Sequence, residues 1–257
     1  MGKIRKLEKT EAAAPLFAGW QETMIDSCLQ GVMGEIYADA AETPGSAMAM
    51  LGDFCFLAGR PSRELAAYKP ASCKRNFMIM VPRDEAWAAL IEQVYGEKAR
   101  QVTRYAIRKE ERIWDETRLR EAVDGLPEGY ELRMIEEGLY RQCKEADWSR
   151  DLVAQYENYE QYEKWGMGAV ILRGQEIVAG ASSYSGYIGG IEIEIDTRED
   201  HRRKGLAYIC GARLILECLA RGWYPSWDAQ NPASVALAEK LGYHFDHAYT
   251  AYEIRGY

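Results

Sequence analysis

Apolar and polar positions along this chain follow two periods, one near 3.6 residues and one of two, and the switches between them predict an α/β protein. In the first half, Leu16, Trp20, Met24 and Cys28 recur at helical spacing, which predicts a helix over 15–30. Residues 32–38 read as a short strand bounded by glycine, and 46–51 as helical. Residues 54–58 are a compact apolar run closed by Gly59-Arg60-Pro61, a strand with a breaker behind it. Ser62 then caps a short helix through Ala67. Residues 77–81 are a buried-strand run stopped by Pro82, Asp84 caps a helix through Tyr95, and 102–107 form another strand.

Turn-formers concentrate at Gly125-Leu126-Pro127-Glu128-Gly129, which predicts a boundary between a domain over 1–127 and one over 128–257. Beyond it a strand over 130–135 precedes two helical segments, the second around 151–164. Strands over 167–172 and 177–184 are joined by a turn at Arg173-Gly174-Gln175. A strand over 191–197, a charged loop and a helix over 205–220 follow, with Gly222 as the stop signal. A short strand over 224–228, a helix over 232–241 capped by Asn231, and a strand over 244–254 end the pattern.

Apolar residues are 47% and charged residues 28% of 257 positions, enough to close a sizeable core. The net charge of −8 argues against nucleic acid as the partner, since phosphate neutralisation needs clustered positive charge; it fits charge kept for solubility, and would also suit a cationic amine. Six cysteines form no C-x-x-C pair, and the histidines are His201, His244 and His247, so no metal is expected. No apolar h-region follows the basic start, and no run approaches the about 18 apolar residues that span a bilayer. A reduced, cytoplasmic protein with no membrane partner is expected.

One segment carries candidate chemistry. Ile191, Ile193 and Ile195 alternate with Glu192, Glu194 and Asp196, which puts the isoleucines on one strand face and the acids on the other. Arg198-Glu199-Asp200-His201-Arg202-Arg203-Lys204-Gly205-Leu206-Ala207 comes next and runs into an apolar helix. Such a turn aims backbone N–H groups outward at a helix N-terminus, where the dipole adds positive potential. Gly205 lets a phosphate approach without a Cβ in the way, and Ala207 keeps the second turn small. Arg202, Arg203 and Lys204 add positive charge. The pattern predicts a diphosphate site, although Arg-Arg-Lys-Gly alone also fits a solvated turn. It is neither a Walker loop nor the G-x-G-x-x-G fingerprint.

Placed after a strand and opening a helix, Arg202-x-x-Gly205-x-Ala207 resembles the [QR]-x-x-G-x-[GA] pyrophosphate loop of the GNAT superfamily of acyl-coenzyme A N-acyltransferases. Downstream, the stretch from Asn231 to Lys240-Leu241-Gly242-Tyr243 is similar to that family's second signature, an Asn followed by a helix ending in K-x-G-[FY]. The resemblance covers residues 130–257. Tyr224-Pro225-Ser226-Trp227-Asp228-Ala229-Gln230-Asn231 and Asp53-Phe54-Cys55-Phe56-Leu57-Ala58-Gly59 further resemble a two-domain subgroup that includes the zwittermicin A self-resistance acetyltransferase.

The resemblance implies a GNAT fold over 128–257, with a mixed, mostly antiparallel central sheet flanked by helices. The N-terminal α/β domain fits a degenerate second copy of that unit. Acetyl-CoA is the implied cosubstrate. Ile195, Asp196 and Thr197 would pair with the pantetheine arm, and the amides of Arg203, Lys204, Gly205, Leu206 and Ala207, with Tyr208, would hold the pyrophosphate. Asn231 would face the pantetheine or sulfur region, and is also placed as an N-cap; Ser234 would bond near the cofactor. An amine must be neutral to attack a thioester, so a carboxylate base is expected, with Glu192, Glu194 and Asp228 as candidates. The Tyr acid common in the second signature is Ala238 here, leaving Tyr184, Tyr187, Tyr243, His244 or solvent in its place. His201 is expected to be solvated, and Tyr156, Tyr159 and Tyr162 to pack along a helix face. The expected reaction is N-acetylation of a primary amine of a small molecule. A non-catalytic acyl-CoA-binding regulatory module and protein-lysine acetylation are the alternatives. The first half lacks a basic glycine loop after 77–81. It is expected not to bind the cofactor, and to close one side of the substrate cleft or make a homodimer contact.

Overall fold

The chain's packing, described for residues 3–257 by a computed structural model, divides after Arg104 and again after His247 rather than at the turn over 125–129. One unit is the chain up to Arg104 together with Ala248–Tyr257; the other is Tyr105–His247. The division follows strand pairing, because the chain's last strand returns to the first unit.

In the first unit β1 (Arg5–Lys6) is followed by α1 (Ala14–Phe17) and α2 (Thr23–Leu29). The helix expected over 15–30 is broken where Gly19 takes a φ of +73° and Glu22 is extended. Next, β2 (Glu35–Ala38), β3 (Ser46–Leu51) and β4 (Phe54–Gly59) form an antiparallel meander. The helical reading of 46–51 is corrected here. All six residues are buried, and the segment pairs with β2 on one side and β4 on the other. Ala, Met and Leu favour helices in isolation, but burial between two strands overrides that weak preference. α3 (Arg63–Ala66), capped by Ser62, leads to β5 (Phe77–Pro82), which runs parallel to β4. α4 (Glu85–Tyr95), capped by Asp84, buries Trp87 and Ile91 against Met48, Leu57, Met78 and Met80. β6 (Ala99–Ile107) then leaves the unit. Its sheet is completed by β13 (Phe245–Arg255), whose residues 252–255 lie antiparallel to 77–80.

The second unit begins with the end of β6 and with α5 (Glu116–Asp124), capped by Asp115. The apolar pattern did not reveal α5, because it is mostly polar and buries only Leu119. β7 (Glu131–Met134), β8 (Gly168–Arg173), β9 (Glu176–Tyr187) and β10 (Gly190–Thr197) are antiparallel neighbours, and β11 (Tyr224–Ser226) joins β10 in parallel. This is the mixed, mostly antiparallel sheet that was expected. Between β7 and β8 lie α6 (Glu137–Glu145), α7 (Asp147–Arg150) and α8 (Tyr159–Trp165). α8 starts at Tyr159 rather than 151, because Asn158 is its N-cap. Tyr156 therefore precedes the helix. It and Tyr162 are buried edge to face at 5.0 Å, with their hydroxyls on Ser183 and Ser182 of β9 at 2.8 Å each. α9 (Leu206–Ala220) buries Leu206, Cys210, Leu214 and Ile215 in one core with Ile191 and Ile193. β12 (Asp228–Ala229) and α10 (Pro232–Lys240) precede β13. Among the described residues no helix is long and apolar enough to cross a membrane, and no three His, Cys, Asp or Glu side chains gather as a metal set.

Candidate active site

β10 and β11 share three register pairs, Gly190↔Tyr224, Ile191↔Pro225 and Glu192↔Ser226, and then part. Past Trp227 the chain turns aside, and β12 pairs instead with the end of β6, Asp228↔Ala106 and Ala229↔Tyr105. On its other edge β10 stays paired with β9 as far as Thr197↔Ala179. Over 193–197, therefore, one edge of the β10 main chain has no strand beside it among the described residues. An open edge of N–H and C=O groups is a template for an extended partner. The register slips once: Glu192 faces Ser185 and Ile193 faces Ser183, so the extra residue, Tyr184, belongs to β9. β10 keeps its alternation. Its isoleucines pack with α9, where a Cβ on Gly211 would lie 3.3 Å from Ile195 Cδ1, and Glu192 and Glu194 lie on the opposite face.

The slot ends at the basic loop. Thr197 is buried, and its Oγ1 has no hydrogen-bond partner among the described residues. Asp196 accepts the Thr197 N–H at 2.6 Å. Burial raises the Asp196 pKa, with the Thr197 N–H and Arg202 pulling the other way. Arg202 is exposed, but its Nε donates to Thr197 O at 3.1 Å, bracing the loop against the strand end. Lys204 Nζ donates to Asp200 O at 3.0 Å. Arg203 and Gly205 take left-handed φ values of +60° and +80°. Gly205 stands at the N-cap of α9 and so offers no side chain to cap it, and a Cβ there would meet nothing within 4 Å. The amides of residues 203–208 donate to no main-chain carbonyl among the described residues. Arg203, Lys204, Gly205, Leu206, Ala207 and Tyr208 thus present a row of unclaimed N–H groups at the start of a fifteen-residue helix. Lys240 lies over the Tyr208 ring at 4.2 Å.

His201 was expected in solvent and is buried, a correction. A short 3-10 turn, Glu199–His201, folds its ring under the loop and edge-on to Tyr130 at 5.7 Å, with Nδ1 3.0 Å from the Tyr130 hydroxyl. Desolvation lowers its pKa, and Lys204 and Arg198 act in the same direction against Asp200.

At the other end of the slot, Ser185, Glu192 and Ser226 are register neighbours on three strands, only 0, 3 and 0% exposed. Glu194 is half-buried across from Ser182, and half-buried Asp228 sits in the β12–β6 pair. Asn231 Oδ1 caps α10 by accepting the Ser234 N–H at 2.9 Å, and Ser234 Oγ accepts from Trp227 Nε1 at 3.1 Å. Ala238 is fully buried. Of the groups considered as its stand-in, Tyr243 donates its hydroxyl to Pro225 O at 2.7 Å, and burial holds its pKa well above the ordinary range. His244 is exposed and bonded to Glu110 at 2.7 Å. Tyr184 is buried and Tyr187 half-buried on β9. Pattern reading missed Lys109, whose Nζ donates to Ser226 Oγ at 2.7 Å and to Trp227 O at 3.2 Å. It stands in the charged run Arg108-Lys109-Glu110-Glu111-Arg112, which locally reads as solvated loop.

The model of the GNAT acetyltransferase family matches residues 14–252. The chain is similar to a GCN5-related N-acetyltransferase-like protein from Streptococcus suis 89/1591, 49% identical with a TM-score of 0.90 over 96% of this chain and 99% of that one. It is 27% identical to the uncharacterized N-acetyltransferase YdfB of Bacillus subtilis (strain 168), over 87% of this chain and 86% of that protein. A tandem GNAT protein from the clavulanic acid biosynthesis pathway shares the fold, with a TM-score of 0.55 at 13% identity over 99% of both chains.

Proposed function

The chain belongs to the GNAT acetyltransferase family and is an N-acetyltransferase, and from that premise we propose that it acetylates a primary amine of a small molecule with acetyl-CoA. The observation that carries this reading is the parting of β10 from β11, which opens a strand edge leading to the uncapped start of α9. Acetyl-CoA bound there would supply the acyl group already activated as a thioester. The residues fit it: an open edge over 193–197, a buried Thr197 hydroxyl without a partner, and unclaimed amides from 203 to 208.

In this proposal the edge formed by Ile195, Asp196 and Thr197 pairs with the pantetheine amides. The loop amides, with Arg202, Arg203 and Lys204, hold the pyrophosphate. Asn231 and Ser234, at the start of α10, line the slot from the β12 side. Glu192 is the proposed base. It is the most deeply buried of the three acids and stands where the strands part, on the face away from α9. A carboxylate there can take the proton of an incoming ammonium. Glu194 lies two residues nearer the mouth, and Asp228 is held in β12. The charge of −8 draws a cationic amine, and the likeness to the zwittermicin A subgroup supports a small amine-bearing acceptor.

The test is calorimetric titration of acetyl-CoA into the wild type and Gly205→Glu. Binding to the wild type and loss of about a hundredfold or more in the variant are expected, because a side chain at φ +80° strains the loop and adds negative charge beside the amides. A wild type that binds no acetyl-CoA overturns the reading.

A further inference from the structure

Lys109 is held in place by its own neighbours. The Arg108 N–H donates to His244 O at 2.9 Å, and the Glu110 N–H donates to the Tyr224 hydroxyl at 3.0 Å. That hydroxyl in turn donates to Arg108 O at 3.3 Å, so the main chain on both sides of Lys109 is tied to the unit's second half. The side chain is thereby directed to Ser226 Oγ and Trp227 O. Ser226 is the last residue of β11 paired with β10, and Trp227 is the first beyond the parting. The ammonium therefore stands at the closed end of the slot. The register partner of its Ser226 anchor is Glu192, the proposed base. Two of its three N–H donors are used in these bonds, which leaves one for a ligand. The other charged and titratable groups around it are Glu110, bonded to His244; Arg108, 3.6 Å from Asp246; Glu192; and Tyr224, whose phenol burial pushes up to about 12. Tyr243 has its hydroxyl on Pro225 O, and Ala238 has no polar atom to offer.

We propose that Lys109 is a catalytic residue of the acetyl transfer, the cation that faces the coenzyme's sulfur and stabilises the departing thiolate. This rests on the acetyl-CoA reading above. As the amine nitrogen bonds to the acyl carbon, the carbon–sulfur bond breaks and its electron pair stays with sulfur. The Glu192 carboxylate has by then taken the incoming ammonium's proton, and the second proton, shed by the nitrogen as the amide forms, goes to solvent. Lys109 serves as a fixed positive charge and transfers no proton. It acts through charge and a hydrogen bond, and solvent protonates the sulfur afterwards. A lysine serving only to satisfy the Trp227 carbonyl would be indifferent to charge on the ligand.

The experiment follows the ionisation of coenzyme A's thiol while it is bound to the full chain, by the ultraviolet absorbance of the thiolate. It compares the wild type, Lys109→Arg and Lys109→Met. Desulfo-coenzyme A, which lacks the thiol, is titrated by calorimetry into all three. The bound thiol is expected to ionise about one pH unit below its free value in the wild type and Lys109→Arg, and at or above the free value in Lys109→Met. Above the free value the wild type then binds coenzyme A about tenfold more tightly than below the bound value, with desulfo-coenzyme A unchanged. The same thiol titration in the wild type and Lys109→Met overturns the proposal. Should Lys109→Met fail to fold, Ser226→Ala removes one anchor of the ammonium and is expected to move the titration part of the way up; no movement overturns it. A wild type that binds neither ligand brings down the acetyl-CoA reading itself, and this proposal with it.

Discussion

In each unit a run of antiparallel strands is followed by a helix and then by a parallel strand: β4, α3 and β5 in the first, β10, α9 and β11 in the second. In the first unit the parallel pair stays closed. Four register pairs run from Phe54↔Ile79 to Leu57↔Pro82, and main-chain bonds at both ends, Ile79 N–H to Asp53 O at 2.6 Å and Arg83 N–H to Leu57 O at 3.0 Å, extend it. The loop into α3 is closed as well. Ser62 Oγ accepts the Leu65 N–H at 3.3 Å, Trp87 Nε1 donates to Gly59 O at 2.9 Å, and the Arg60 N–H donates to Gly45 O at 2.8 Å. In the second unit the pair opens after three residues, and no side chain caps α9. The two loops also use glycine to different ends. Gly59 has a φ of +81° and sits so tightly that a Cβ would be 2.4 Å from Gly45 O, whereas Gly205 has a φ of +80° and open space around it. One glycine serves internal packing and the other faces open space at the start of α9. The difference teaches that the same order of elements can leave backbone groups claimed in one unit and unclaimed in the other.

The largest expected effect comes from forcing the closed loop. Gly59→Val places a branched side chain at a left-handed position against the Gly45 carbonyl, and a loss of about 3 kcal/mol in unfolding stability is expected. Urea denaturation measures it, and acetyl-CoA affinity of the folded fraction should change less than about twofold, because Gly59 belongs to the unit that does not hold the slot. A variant as stable as the wild type would mean that the first loop is not held shut. An intermediate effect is expected at the open loop. Arg202→Ala removes the brace on Thr197 O and one positive charge, and should weaken acetyl-CoA binding about tenfold with little change in stability, in line with a charge-assisted bond. Equal affinity would separate Arg202 from the ligand. The smallest effect is a pH dependence. Burial lowers the His201 pKa, so the folded state prefers the neutral ring. The unfolded chain then binds more protons just below the ordinary histidine value of about 6.5, and stability rises with pH through that window. That contribution is fully present above the window and lost as pH falls through the folded value. In His201→Gln the slope should flatten, and an unchanged slope would show that His201 does not set it.

Much of the slot's local geometry is legible in the residues. Alternation along 191–197 predicted a strand with its isoleucines on one face and its acids on the other, and the loop with Gly205 followed where a helix had to begin. Ser62, Asp84 and Asn231 cap their helices as their types and positions predict, because a cap needs only residues three apart. Where local preference and tertiary burial disagreed, burial won. Residues 46–51 carry helix-favouring side chains and form a fully buried strand. His201 looked solvated among charges and is tucked against Tyr130, 71 residues away.

The sequence by itself determined the alternation, the turns and caps, and the basic glycine loop, since each depends on neighbours a few residues apart. Only the tertiary structure decided that β10 parts from β11 at Glu192, that Ala248–Tyr257 belongs with the first unit, and that Lys109 reaches Ser226 from 117 residues away. The physical reason is the same in all three. Strand pairing and long-range hydrogen bonds join segments with no fixed spacing in the chain, so no local pattern encodes which partner a buried backbone or ammonium finds.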